Sequence, residues 1–589
     1  MNSKIISMII FVLFIGSGVV TCSSENPRDF SNLKDSETLR LNDGAQIYDE
    51  CLSSIEEVDW WSMFHHDPKL TGHSTSISPM TNNVLWTHST GFYLGGFCSP
   101  AVVDYRLYIG SSAFGYLYED TVRLLDHICG KGYLFRYNSH LFLNCLYIRE
   151  ESLRRDFGIL YCLNALNGVE LWCFYTQGYV ISSPTVYDDK VYFSSVDEYD
   201  WDGRVYCLDA ATGVEIWNSS LYSPLSSPNA VEGKLYVSAI EIDEEDLIGK
   251  MFCLNMLDGS EIWNYTIGVG EYLYLSTPAV AYDNVYFVTE NENEEVPGHI
   301  FCLDEDTGEI IWQSSIWSML NSPVISYGKV YISSYDLIND RGILLCLDAE
   351  DGDEQWRYMM GVEELAGYST PAIAYGNVYF STLSPITFRA KVTCINASTG
   401  VYIWARTPGD MMMLSSPAVA DKKVYIGSFL YGNLYCFDYA NGTIIWSYPL
   451  VFGTLTSPGI ANGILYTADA SGTIYAFEDV LNIGDISGGF LSVKAEIQNR
   501  GDFNFTNVSW SISVVGGILG LIDRTDTGTI SILEGGDSKL VRVTPVFGLG
   551  KIRIFVTSTM PGLNVIRRIM EGFVFGPFVF VQENGGMNI

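Results

Sequence analysis

Ser182-Ser183-Pro184-Thr185-Val186-Tyr187-Asp188-Asp189-Lys190-Val191-Tyr192-Phe193, continued by Arg204-Val205-Tyr206-Cys207-Leu208-Asp209-Ala210-Ala211-Thr212-Gly213-Val214-Glu215-Ile216-Trp217, is one copy of a pattern that fills most of this chain. Its last residue recurs as Trp86, Trp172, Trp217, Trp263, Trp312, Trp356, Trp404 and Trp446. After one long gap behind Trp86, the step stays between 42 and 49 residues. A period of about 40–50 residues is that of propeller blades or another repeat array. Each copy holds four short runs rich in Val, Ile, Tyr and Trp, bounded by Gly, Asp, Asn or Pro, which reads as four antiparallel strands. Both faces of such a sheet are covered by neighbouring sheets, so both are free to be apolar.

The ends of the array predict a closed ring. Val84-Leu85-Trp86 ends a strand with no unit before it. The last unit has Pro458, Tyr466 and the run Thr473-Ile474-Tyr475-Ala476-Phe477, then lacks its tryptophan strand. The N-terminal strand would complete it and remove two exposed sheet edges. The expectation is an all-β protein: an eight-bladed β-propeller of four-stranded blades over residues 59–479, closed by an N-terminal strand. A small β-sandwich follows over 480–589, with about seven short strands of immunoglobulin-like type.

The Ser-Ser-Pro, Val-Tyr, Tyr-Cys-Leu-Asp and Thr-Gly…Trp landmarks resemble the pyrroloquinoline-quinone (PQQ) repeat of quinoprotein-dehydrogenase-like propellers. Trp61-Ser-Met-Phe-His-His-Asp67 with Gly72 and Ser74 is similar to the lead-in before the first blade of such proteins. The resemblance implies the fold. It does not imply the cofactor, because the repeat residues pack and turn. Dehydrogenases of this family hold PQQ between a tryptophan floor and a vicinal disulfide, beside a calcium. This chain has no Cys-Cys pair, so no cofactor is expected, PQQ least of all. The family also includes a lipoprotein of the outer-membrane barrel-assembly machinery that acts through protein contacts alone.

Residues 5–20 form an apolar run after Lys4 and read as a signal peptide or membrane anchor within 1–22, with Cys22 a candidate lipidation site. Residues 23–58 read as a polar tether. The expected location is extracellular or at the cell surface, with N-terminal membrane attachment open. Six Asn-x-Ser/Thr sequons (Asn218, Asn264, Asn396, Asn441, Asn504, Asn507) would permit glycosylation there. Lys and Arg number 33 against 69 Asp and Glu, a net charge of −36, which excludes nucleic-acid binding through phosphate contacts. Thirteen cysteines suit a disulfide framework by count. However, Cys162, Cys207, Cys253, Cys302, Cys346, Cys394 and Cys436 repeat at one blade position and read as buried thiols. Cys129 and Cys145 remain as one candidate pair.

Chemistry would sit on the loops joining second to third strands, which share a face with the connections between blades. Three consecutive units carry acidic insertions there: Asp197–Gly203, Asp243-Glu244-Glu245-Asp246, and a run that includes Glu290, Glu292, Glu294 and Glu295. Glu198-x-Asp200-x-Asp202-Gly203 has the alternate-oxygen spacing of a calcium loop, and calcium is the one candidate ion. A basic insertion of about 43 residues, 115–158, rises from the same face and would serve as a lid or fold onto the acidic sector. His65, His66, His73 and His88 lack a Cys or Glu at zinc spacing. These features favour a non-catalytic binding or scaffold protein whose partner is a protein or surface polymer. The alternatives are a PQQ-dependent oxidoreductase and a funnel-based hydrolase or lyase.

Overall fold

Each repeat folds as a blade built on four antiparallel strands, and eight such blades are present among the described residues. In chain order their inner strands are Ala101–Val103, Thr185–Tyr187, Asn229–Val231, Ala279–Ala281, Val324–Ser326, Ala372–Ala374, Ala418–Ala420 and Gly459–Ala461, which number blades one to eight. The structure is a computed structural model. It describes residues 58–581 except 91–97, 114–156, 198–201, 244–245, 269, 274–275, 292–295, 318–320, 337–340, 362–363, 367–368, 385–388, 410–414, 430–431, 452, 455, 480, 500–503 and 561–565. Residues from Val58 onward form one compact unit.

The repeat landmarks have separate physical jobs. Inner and second strands are joined by two-residue turns with both residues at positive φ, as at Asp188 (51°) and Asp189 (59°), or Tyr375 (52°) and Gly376 (74°). Such turns match the right-handed twist of the flanking strands. Across blades one to seven a tyrosine, a cysteine and the tryptophan stand in register, as in Tyr192↔Cys207↔Trp217, and in blade eight Ala476 takes the cysteine's place. A bulge beside the tryptophan, between Glu215 and Trp217 in blade two, turns the indole towards the next blade.

There it docks on the Thr-Gly turn. Gly213 has φ +71°, and a Cβ at that position would lie 2.6 Å from the Trp172 ring, so both the turn and the close approach require glycine. Each joint is then clasped twice on one carbonyl. Ala210 O accepts from Trp172 Nε1 (3.2 Å) and Tyr108 Oη (2.9 Å). Met256 O accepts in the same way from Trp217 and Tyr192. Ala349 O accepts from Trp312 and Tyr286.

The ring closes as the sequence predicts. Val84–Ser89 pairs antiparallel with Thr473–Phe477, with Trp86 opposite Ala476. Trp86 and Tyr466 of this composite blade both donate to Ala165 O of blade one. At the joint between blades seven and eight, the covalent turn is missing and Pro79 O takes its place, accepting from Trp446 and Tyr425.

Two further layers line the axis. In the Ser-Ser-Pro step the first hydroxyl bonds within its own blade, as Ser415 Oγ does with Gly427 N and O. The second accepts from the backbone of the preceding blade: Ser99 N to Ser183 Oγ, Ser183 N to Ser227 Oγ, and round to Ser457 N to Ser99 Oγ (3.0 Å). The lead-in segment, which has almost no regular structure, then threads the ring. Its carbonyls accept the mid-strand N–H of six inner strands: Val102 to Trp61, Val186 to Ser62, Val280 to Pro68, Ile325 to Lys69, Ile373 to Thr71 and Val419 to Gly72. Inner-strand edges that would otherwise be unpaired are thereby satisfied.

After the ring come two sheets around a separate apolar core that includes Val493, Val514, Ile554 and Val574. One holds Leu481–Gly489, Ser492–Asn499 and Ser538–Val543; the other holds Ile522–Leu533, Phe505–Gly516, Gly548–Thr559, Ile566–Gly576 and Phe578–Val581. Eight strands replace the expected seven or so, and several are long. Two glycines lie inside strands at close approaches: Gly528 sits under the Trp510 ring, and a Cβ on Gly572 would meet Phe580 O at 2.4 Å.

Candidate functional site

The acidic sector over blades two to four is built on a small apolar cluster of its own. Val196 and Ile240, from the second strands of blades two and three, pack with Leu225 and against Ile181 and Tyr272 of the interblade connections. Gly249 lies so close to Tyr272 that a Cβ there would approach the backbone to 2.9 Å. Above this base the blade-three hairpin is longer than the sequence reading allows. Lys234–Asp243 and Asp246–Asn255 stay paired to the Asp243↔Asp246 rung, so these two acids end strands.

Blade four adds the next rim. Glu290–Asn291 pairs with Glu271–Tyr272, so Glu290 also belongs to a strand. Glu271 is held from two sides, by His299 Nδ1 (3.0 Å) and by the Thr289 hydroxyl (2.9 Å). In blade two Asp202 begins the third strand, and its carbonyl accepts from Asp197 N (2.7 Å), which draws the hairpin ends together. Glu198 and Asp200, the other two residues of the calcium-spaced run, lie outside the described residues, as do Glu292, Glu294, Glu295 and the insertion 115–158 except its last two residues. Among the described residues no three His, Cys, Asp or Glu side chains gather as a metal site.

The histidines of the lead-in have a different use. His66 Nε2 bonds Asp59 Oδ1 (2.9 Å) and its Nδ1 faces Asp67 Oδ2 (3.4 Å). Burial by itself would lower its pKa; the bonds and charges of the two carboxylates outweigh that and raise it to about 9. Asp59 also accepts from Ser74 Oγ, Thr75 N and Thr75 Oγ1, and Asp67 from Thr71 N and Oγ1. His65, fully buried, is pushed down to about 4 by desolvation, against its Leu70 carbonyl bond, and is neutral at pH 7. This latch on the threaded segment was missed in sequence. Its only signal is the acid–histidine–acid order Asp59, His66, Asp67.

The strand-three cysteines are free and buried, as is Cys98. Burial pushes the Cys162 thiol up to about 12 and the Cys207 thiol up to about 11. A thiol so far from its thiolate is a poor nucleophile. In native protein the eight buried thiols should stay unreacted with Ellman's reagent and titrate only after denaturation. Rapid native labelling of these positions would refute the buried-row description. Cys22, Cys129 and Cys145 lie outside the described residues. Of the sequon asparagines, Asn218, Asn264, Asn441, Asn504 and Asn507 are exposed, whereas Asn396 is part-buried and its Oδ1 caps the turn at Ser398 and Thr399.

None of the eight repeat tryptophans is available as the floor of a quinone pocket. All eight repeat indoles point between blades with their N–H groups bonded to a neighbour's carbonyl, which leaves none of them as a floor in the channel.

Comparison with known proteins agrees with this architecture. Among solved structures, a quinohemoprotein alcohol dehydrogenase from Comamonas testosteroni is 14% identical, with a TM-score of 0.51 over 74% of this chain and 82% of that one. A europium-containing methanol dehydrogenase is 13% identical, with a TM-score of 0.50 over 76% and 91%. BamB from Moraxella catarrhalis is 18% identical, with a TM-score of 0.43 over 56% and 98%. No curated protein matches the sequence. The PQQ_2 family model, described as outer membrane protein assembly factor BamB, matches residues 144–293 and 276–480. These matches span more than half of the sequence, and the chain belongs to this family of PQQ-repeat propellers.

Proposed function

We propose that the protein is an exported, surface-associated propeller that binds a basic protein or surface polymer through its loop face and carries out no chemistry itself. The observation that carries this reading is the apolar base formed by Ile181, Val196, Leu225, Ile240 and Tyr272, which packs together the bases of the hairpins of blades two and three. Loops held on a rigid scaffold are the usual seat of recognition. Membership of a family described by an assembly factor supports a protein-contact role and an envelope location. The lack of a vicinal cysteine pair speaks against PQQ. The strand order of the C-terminal sheets supports an immunoglobulin-like spacer.

The test is calorimetric titration with a lysine decapeptide, with calcium, and with PQQ plus calcium. The decapeptide should bind, and the variant D243N/E244Q/E245Q/D246N should weaken it at least tenfold. Neutralising Glu350, Asp351 and Asp353, on the opposite face, should change it less than threefold. Equal losses would reduce the effect to net charge. Stoichiometric PQQ binding would replace this reading with the oxidoreductase.

A further inference from the structure

The C-terminal domain ends in an apolar tip that the loop-face reading does not use. Its propeller-proximal end is marked by Ile483, Ile566 and Arg568, which line a cleft with Ile77, Asp421 and Asn462, and by Ile569 O, which accepts from Tyr105 Oη (2.8 Å). From Ile566 the strand runs to Gly576, roughly 34 Å away at about 3.4 Å per residue. At that far end Phe575 faces Phe578 across the hairpin, and Phe573 faces Phe580. All four rings are exposed, although strand partners surround their backbone. Phe490, from the turn between the first two strands of the domain, stacks edge-on against Phe578 (centroids 5.8 Å apart).

The patch continues onto the neighbouring strand and loop. Leu549 is opposite Phe575. The 517–521 turn is tied to the same strand by Gly517 N to Lys551 O, and it carries Leu519 and Leu521 at 76% and 78% exposure. A convex end made of strand turns, with bulky apolar side chains aimed outwards, is no groove for a peptide.

The charges behind the tip are graded. Lys551 stands opposite Phe573, one row back from Leu549, and Arg553 stands one row further, opposite Glu571 and ion-paired with it (3.5 Å). Asp523, on the same face, is two strands away from Arg553. Residues 481–589 hold nine Lys and Arg against nine Asp and Glu, so the net charge of −36 belongs to residues 1–480. An apolar leading row with a lysine directly behind it matches the order of acyl chains and phosphate headgroups. The domain's length would also hold the acidic propeller several Debye lengths, each about 8 Å at physiological salt, from an anionic surface. The 35 residues 23–57, which follow the expected N-terminal anchor, can span at most roughly 120 Å and so do not restrict this approach.

We infer that this tip is a lipid-docking surface, inserting Phe575, Phe578, Leu519 and Leu521 into the headgroup boundary with Lys551 at the phosphates. The proposal does not depend on the loop face. Its test uses the chain from Val58 onward, which contains every described element and removes the apolar run 5–20. On flotation with phosphatidylcholine vesicles containing 30% phosphatidylglycerol, this protein should rise with the lipid. L519E/F575E/F578E should lower the bound fraction at least tenfold with an unchanged unfolding midpoint, and L519E/L521E should lower it severalfold. No flotation of the parent, or equal flotation of the triple variant, would overturn the proposal. So would self-association in ultracentrifugation that the triple variant abolishes in the absence of vesicle binding, because the tip would then belong to a second copy.

Discussion

Trp86→Ala should lower the stability of the ring by about 3–5 kcal/mol, the usual cost of truncating a buried aromatic side chain. The indole packs on Gly168, bonds Ala165 O and belongs to the strand that completes blade eight. Removing residues 58–89 should go further and abolish cooperative unfolding, because it deletes that strand together with the carbonyls that satisfy six inner strands. Urea denaturation followed by tryptophan fluorescence and far-ultraviolet dichroism would read both. A cooperative transition of the truncated chain at the parent midpoint would mean that the ring does not need its N-terminal closure.

The second large effect concerns the Asp59–His66–Asp67 latch. Asp59→Ala should destabilise by about 3–5 kcal/mol, since it leaves a buried imidazolium short of a partner. The pH dependence has a definite sign. The folded pKa of His66, about 9, is above its unfolded value, so its contribution is complete below about pH 6.5 and is lost as pH rises through 9. Asp59 and Asp67 are held below the ordinary carboxylate range; burial opposes this, but the bonds to His66 and to the threonines prevail. Their contribution is present above about pH 4 and is lost on acidification. The latch should therefore contribute most in the window between these limits, and His66→Leu should flatten the alkaline side. Denaturation midpoints measured from pH 5 to 10 would show this; parallel profiles for parent and His66→Leu would remove the latch from the account.

The blades, their number and the closure were legible because tryptophan, tyrosine and Ser-Pro recur at fixed offsets, and strand periodicity survives in each copy. Trp86 and the missing final strand even located the seam. The lead-in was not legible as a plug. Residues 59–72 have no periodicity to read, and their partners are backbone N–H groups up to hundreds of residues away, which carry no side-chain signature. At the candidate site the acidic composition was visible, but its base was not. Val196, Ile240 and Tyr272 look like ordinary strand and loop residues until three blades bring them together. Phe573, Phe575, Phe578 and Phe580 alternate plainly in sequence, but only the pairing shows that they share an outward face.

The seam also gives the protein a history. Met80 N bonds Asp479, a partner 399 residues later in the chain. At about 5–20 residues per second, roughly 20–80 s of synthesis separate the two. Throughout that interval the closing strand has no edge to join, and the open array keeps an exposed flank at each end. A chain that leaves the ribosome or crosses a membrane N-terminus first cannot finish its circle until its last blade emerges. Its opening segment is thus made first and seated last.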